Sequence, residues 1–142
     1  MKAKQVSVFL ENKSGRLNEV AQILGDAGIN ISAFTVADTS DFGVLRLIVS
    51  DPEKACRVLK DQQFSVRTTD VVLANSPNQP GALARMLEIL NAGGVFIEYL
   101  YAFSMNENTA VIVIRPTAIN KCIEKLEEHR DELLSNGADY RL

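Results

Sequence analysis

The sequence predicts an α+β protein built from two ferredoxin-like βαββαβ domains, residues 1–69 and 70–142, packed as a pseudo-symmetric pair. Three observations lead there. First, the 142-residue chain repeats itself: Asn12, Gly15, Leu17, Ile23, Leu24, Gly28 and Ile31 recur as Asn78, Gly81, Leu83, Ile89, Leu90, Gly94 and Ile97. Second, those matches mark the start, the buried stripe and the end of one helix, then the strand after it, which is what a duplicated supersecondary unit leaves in a sequence. Third, both halves alternate strand-like and helix-like periodicity in one order, β-α-β-β-α-β, the split arrangement with both helices on one face of an antiparallel sheet.

Taken in order, Val6, Val8 and Leu10 alternate with polar neighbours, so a half-buried strand is expected. Leu17, Val20, Ala21 and Leu24 fall at i, i+3, i+4 and i+7, one face of a helix, and Ala27-Gly28 stops it. Ile29 to Ala37 reads as a strand, Thr39-Ser40-Asp41 as a turn, and Val44 to Ser50 as the return strand of a hairpin. Asp51-Pro52 opens a second helix with proline in its first turn, striped by Ala55, Val58 and Leu59. A last strand begins over Phe64 to Thr68, and Val71 to Ala74 starts the second copy, with a continuous or bent strand joining them as one possibility. In the second copy Leu83, Met86, Leu87 and Leu90 stripe a helix ended by Gly93-Gly94. Val95 to Ser104 and Ala110 to Arg115 flank the turn Asn106-Glu107-Asn108. Pro116 is expected to open the final helix, striped by Ile119, Cys122, Ile123 and Leu126, because the stripes of the two second helices align best with Pro116 opposite Pro52. Asn136-Gly137 would stop it before a short final strand.

Composition bounds the function. Apolar residues make up 46% of the chain, the pattern of a globular protein rather than a disordered one. The net charge is −3, with no basic stripe to neutralise phosphates, so neither nucleic acid nor an anionic membrane is an expected partner. The apolar runs, such as "GVLRLIV", fall short of the roughly 18 residues a spanning helix needs. "MKAKQVSVFL" reads as a strand rather than a signal peptide, and a cytoplasmic location follows as the expectation. Cys56 and Cys122 lie far apart without metal or redox spacing and read as two buried structural thiols. No metal and no cofactor are expected.

The stretches "NKSGRL" and "NQPGAL" carry the functional question. A helix start exposes unpaired N–H groups at the positive end of its dipole, which suits a carboxylate. Gly15 and Gly81 remove a side chain there. Asn12 and Asn78 add a donor and an acceptor three residues earlier, and Asn30 adds another pair just past the helix stop at Gly28. An amino acid zwitterion needs both kinds of group. Glycine and asparagine are equally good turn formers, and the residues alone leave the conformational and the ligand-binding explanations both open.

"LENKSGRLNEVAQILGDAGINI", followed by a strand and hairpin, resembles the ACT domain, a ligand-sensing module, as it occurs in phosphoglycerate dehydrogenase and in the acetolactate synthase small subunit. "NSPNQPGALARMLEILNAGGVFI" carries the same signature more clearly, so the resemblance covers nearly the whole chain. It implies a site between paired domains, where the loop before the first helix of one faces the first-helix end and second strand of the other. One site would then join Asn78, Gly81, Ala82 and Leu83 to Gly28, Ile29, Asn30 and Ile31. Its mirror would join Asn12, Gly15, Arg16 and Leu17 to Gly94, Val95, Phe96 and Ile97. The first keeps two side-chain amides, whereas the second has Phe96 in place of Asn30; the first is therefore the better amino acid site. Glu98 could read a basic ligand group, or simply be an exposed strand residue.

The function so implied is a small-molecule-binding regulatory protein, a homodimer sensing a free amino acid. The alternative is a regulatory subunit of an amino acid biosynthetic enzyme such as acetolactate synthase. An enzyme is not expected: His129, the single histidine, sits in the charged stretch "EEHRDE" and reads as solvated, and no Ser-His-Asp set, zinc spacing or phosphate loop is present. Arg16 stands where a phosphate-cradling arginine would, but its counterpart is Ala82. RNA binding through the sheet would need aromatic strands and basic charge that the chain lacks.

Overall fold

The computed structural model describes residues 1–11, 15–38, 42–104 and 106–133. The expected turn Thr39-Ser40-Asp41, the Asn136-Gly137 stop, the final strand and Asn12 lie outside the described residues. The described residues divide into two compact units, one of Lys4–Thr69 and one of Met1–Ala3 with residues 70–133.

In the first unit β1 (Lys2–Glu11, from Lys4 on), β2 (Ile31–Asp38), β3 (Phe42–Val49) and the Ser65–Thr69 part of β4 (Ser65–Pro77) follow the order β2-β3-β1-β4. The pairing of β3 with β1 and with β2 is antiparallel, with Val8 opposite Leu45 and Phe34 opposite Leu47, and the register slips between Ile31 and Ala33. Val6, Val8, Leu10, Leu45 and Leu47 share a core with Val20 and Leu24 of α1 (Arg16–Asp26) and with Ala55 and Leu59 of α2 (Pro52–Asp61). Val20 and Leu24 meet the period-two face of the strands as the sequence predicts, whereas Leu17 and Ala21, read from the sequence as part of the same stripe, are exposed. The polar side of β1 departs from expectation: Gln5 and Ser7 are buried, and the Gln5 amide donates to Ser7 Oγ at 3.3 Å. Asp51 caps α2, its carboxylate accepting from Lys54 N–H at 3.1 Å.

The second unit repeats the plan with α3 (Ala82–Ala92), β5 (Ile97–Ser104), β6 (Thr109–Pro116) and α4 (Ile119–Glu128), plus a short α5 (Arg130–Leu133). Its strands run β4-β6-β5, with Val72 opposite Ile114 and Leu100 opposite the same residue. Val72, Ala74, Met86, Leu90, Ile112, Ile114, Cys122 and Leu133 form its core. On the other edge of its Asp70–Pro77 strand lies the start of the chain: Leu73 N–H donates to Met1 O at 2.7 Å, and the Met1 ammonium donates to Leu73 O at 3.1 Å. β4 is one strand of 13 residues, with Ser65–Thr69 in one unit and Asp70–Pro77 in the other.

Pro116 does not open a helix. It ends β6, and α4 starts at Ile119 behind Ala118. Three residues separate β2 from β3 but four separate β5 from β6, so everything beyond that hairpin is displaced by one place. Pro52 therefore matches Ile119, Ala55 matches Cys122 and Leu59 matches Leu126. The alignment on Pro116 is three residues off, close to one helical turn, and a stripe looks alike when slid by a turn. Cys122 is fully buried but Cys56 only half-buried, and the two are not equivalent positions. His129 is half-buried rather than solvated; it ends α4, and its ring Nδ1 donates to Lys125 O at 3.0 Å.

Candidate functional site

Both glycine-marked corners are built alike. Gly15 and Gly81 stand at the N-termini of α1 and α3 with φ of 86° and 87°, and among the described residues no side chain caps either helix. A Cβ at either glycine would meet only open space. Backbone conformation, not crowding, is what demands glycine there. Leu17 and Leu83, one residue into each helix, hold their side chains 47% and 44% exposed. The amides are not all available: Ala82 N–H donates to Gln79 O at 3.2 Å, and Asn78 N–H to Asn108 O at 2.9 Å. Arg16 does not reach toward a phosphate cradle. It pairs with Glu19 at 3.2 Å and lies over the Phe64 ring, 5.4 Å from its centre.

At the other end of each first helix the chain turns through Gly28 and Gly94, with φ of 73° and 72°. Ile29 N–H donates to Leu24 O, and Val95 N–H to Leu90 O, both at 2.9 Å, and both side chains are buried. Asn30 and Phe96 then face solvent, Phe96 with 69% of its surface. Their anchoring differs. Ser50 Oγ accepts from Asn30 N–H at 3.0 Å while Ser50 N–H donates to Asn30 O at 2.9 Å. Thr117 instead directs N–H and Oγ1 onto Phe96 O, at 3.0 and 3.4 Å. Ile31 and Ile97 open β2 and β5, half-buried. Glu98 is ion-paired with Arg115 at 3.4 Å.

A loop and an arm of the same unit sit at opposite ends of an 11-residue helix, about 16 Å apart at 1.5 Å per residue. Of the first residue set, Asn78, Gly81, Ala82 and Leu83 belong to one unit and Gly28, Ile29, Asn30 and Ile31 to the other. The second set divides the same way, and its Asn12 is outside the described residues.

Two features are not readable from the sequence. In the first unit Leu17, Val20, Ala21, Ile31, Phe34, Leu45 and Leu47 line an apolar cavity of about 180 Å³ beside α1, with Phe34 67% exposed at its rim. Ser50 and Lys54 hold the Asn30 arm from α2's side, Lys54 Nζ donating to Ala27 O at 2.8 Å. Burial raises the thiol pKa of Cys56 and pushes that of Cys122 up to about 11, so neither is a ready nucleophile. Among the described residues no cluster of three His, Cys, Asp or Glu could hold a metal, and no helix is long and apolar enough to cross a membrane.

Residues 1–137 match the model of the ACT domain pair. Protein BT0572 from Bacteroides thetaiotaomicron is 57% identical and superposes with a TM-score of 0.88 over 92% of this chain and 90% of that one. The ligand-free regulatory subunit of aspartate kinase from Thermus thermophilus, 14% identical, shares the fold with a TM-score of 0.63 over 90% and 96% of the two chains. The acetolactate synthase small subunit of Buchnera aphidicola subsp. Baizongia pistaciae (strain Bp) is 37% identical over 49 residues, 34% of this chain and 31% of its own length. The matched stretch thus spans about a third of that relative.

Proposed function

The chain belongs to the ACT domain pair family, and on that premise we propose that it is a regulatory protein that senses a free amino acid at a site closed between two ACT domains, residues 1–69 and 70–142. One observation carries this reading: in each unit the helix-start loop and the arm past the helix end are a helix length apart, so neither unit can form a complete site from its own two corners. Loop and arm must come from different domains, in one chain or across a homodimer. The preferred site joins the loop Asn78, Gly81, Ala82 and Leu83 to the arm Gly28, Ile29, Asn30 and Ile31. Because Ala82 N–H is committed to Gln79 O, the carboxylate falls to the other amides of the loop, and the exposed side chains of Asn78 and Asn30 supply both donors and acceptors. The second site, from Asn12, Gly15, Arg16 and Leu17 to Gly94, Val95, Phe96 and Ile97, trades that second amide for a ring. A few charge-assisted hydrogen bonds of about 1.5–3 kcal/mol each, less the cost of association, suit a dissociation constant of about 1 µM to 1 mM. That range follows metabolite levels rather than capturing every molecule.

A thermal-shift screen of the twenty amino acids tests this, since a ligand that binds only the folded state raises its melting temperature. At least one is expected to do so at millimolar concentration, and Asn30→Ala to reduce the shift. A flat result across all twenty would overturn the proposal. The match to an acetolactate synthase small subunit favours a second reading, a regulatory subunit of an amino acid biosynthetic enzyme. Co-purification with a large synthase chain would support it; a stable homodimer that binds amino acids alone would support the sensor.

A further inference from the structure

The short stretch Ser50–Lys54 grips the arm of the preferred site at two points, on either side of its left-handed glycine. Ser50 takes both backbone groups of Asn30. Lys54, the third residue of α2, extends its half-buried side chain away from its own helix and donates from Nζ to Ala27 O at 2.8 Å. Ala27 caps the C-terminus of α1, where carbonyls lack helical partners and the dipole is negative. A lysine ammonium placed there both satisfies an orphan carbonyl and offsets the charge. Between the two grips lie only Gly28, with φ of 73°, and Ile29, anchored through Leu24. The course of the backbone that presents the Asn30 side chain is thereby fixed from both ends.

The second unit places a hydroxyl residue and a lysine at the matching positions. Thr117 stands for Ser50, and Lys121, again the third residue of its helix, stands for Lys54. Lys121 Nζ lies 3.0 Å from where a Cβ on Gly94 would be, and the Lys125 chain lies over Gly93. A cationic side chain from the second helix therefore covers the end of the first helix in both copies.

We propose that Lys54 is a positioning residue for the amino acid site: it holds the Gly28–Ile31 arm in its ligand-ready course and offsets the negative C-terminal end of α1. This rests on the amino acid-binding reading, and the test separates the two. Calorimetric titration with whichever amino acid gives the largest thermal shift is compared for the wild type, Lys54→Met and Lys54→Arg. Lys54→Met is expected to weaken binding about tenfold, about 1.4 kcal/mol, and Lys54→Arg to restore most of it, because arginine keeps a donor and the charge. Equal affinity in wild type and Lys54→Met would overturn the inference while leaving the sensor reading intact, as would equal losses in Lys54→Met and Lys54→Arg. If Lys54→Met does not fold, Lys54→Gln takes its place in the same comparison. Should the wild type bind no amino acid, the sensor reading fails first, and the lysine is judged on ligand-free amide resonances. Lys54→Met must then move those of Gly28 and Asn30 but not those of Gly94 and Phe96; unmoved Gly28 and Asn30 resonances would sink it.

Discussion

At Gly81 the backbone holds φ at 87°, a region where an L side chain costs about 1–2 kcal/mol, and open space faces the missing Cβ. Gly81→Ala should therefore lose about that much stability in urea denaturation without any clash, and a variant as stable as the wild type would discredit the conformational account of the corner. The cysteines offer a second test at this scale. Cys122 is fully buried, which favours its neutral thiol and raises its pKa to about 11. A group with a raised folded pKa stabilises below its unfolded value, near 8.5 for a thiol, and that contribution disappears as pH climbs through the folded value. Alkylation at pH 8 should thus label the half-buried Cys56 slowly and spare Cys122 until the protein unfolds, and the wild type should lose stability between pH 9 and 11 faster than Cys122→Ala does. Early labelling of Cys122 would contradict its burial. The sequence suggested that both thiols were structural, but exposure depends on which way a helix rolls, and Cys56 stands one residue past the buried Ala55.

Helix ends show where sequence patterns speak clearly and where they do not. Asp51-Pro52 announces α2 because the cap and the fixed proline φ act locally, and the structure has Asp51 bonded to Lys54 N–H. Pro116 misleads because a proline also fits the end of a strand, where its missing N–H breaks no ladder; only the length of the β5–β6 turn settles which role it plays. The other end of α2 gives no signal at all. Gln63 adopts φ of 68° where glycine would be the usual choice, and Gln63 N–H and Phe64 N–H close the helix on Lys60 O and Leu59 O. Gln63→Gly should raise the stability of the protein by about 1 kcal/mol, by relieving the left-handed strain; a loss in thermal or urea midpoint would refute this. The glycine corners and the middle of the first-helix stripes, Val20 with Leu24 and Met86 with Leu90, were legible for the same reason as Asp51: each rests on near neighbours in the chain; Leu17, Ala21 and Leu83, read into those stripes, are exposed. The Phe34-rimmed cavity and the Lys54 brace were not, since each depends on which distant segments the fold brings side by side.

Across the whole molecule, the repeat in the sequence and the units in the structure do not coincide. Met1–Ala3 begin the first copy yet pair along the Asp70–Leu73 edge of the second unit, with two backbone bonds between Met1 and Leu73 and the Lys2–Asp70 ion pair at 3.5 Å. The Leu73 amide should therefore exchange slowly with deuterium in the full chain and quickly once residues 1–3 are removed, while the Leu47 amide in the first unit stays protected. Equal protection of Leu73 in both would show that the pairing contributes nothing. No local pattern could reveal this, because three residues of "MKA" carry no periodicity of their own. The practical outcome concerns anyone who handles the gene. Splitting it at the midpoint to express each ACT copy alone would strip the later copy of an edge encoded about seventy codons earlier.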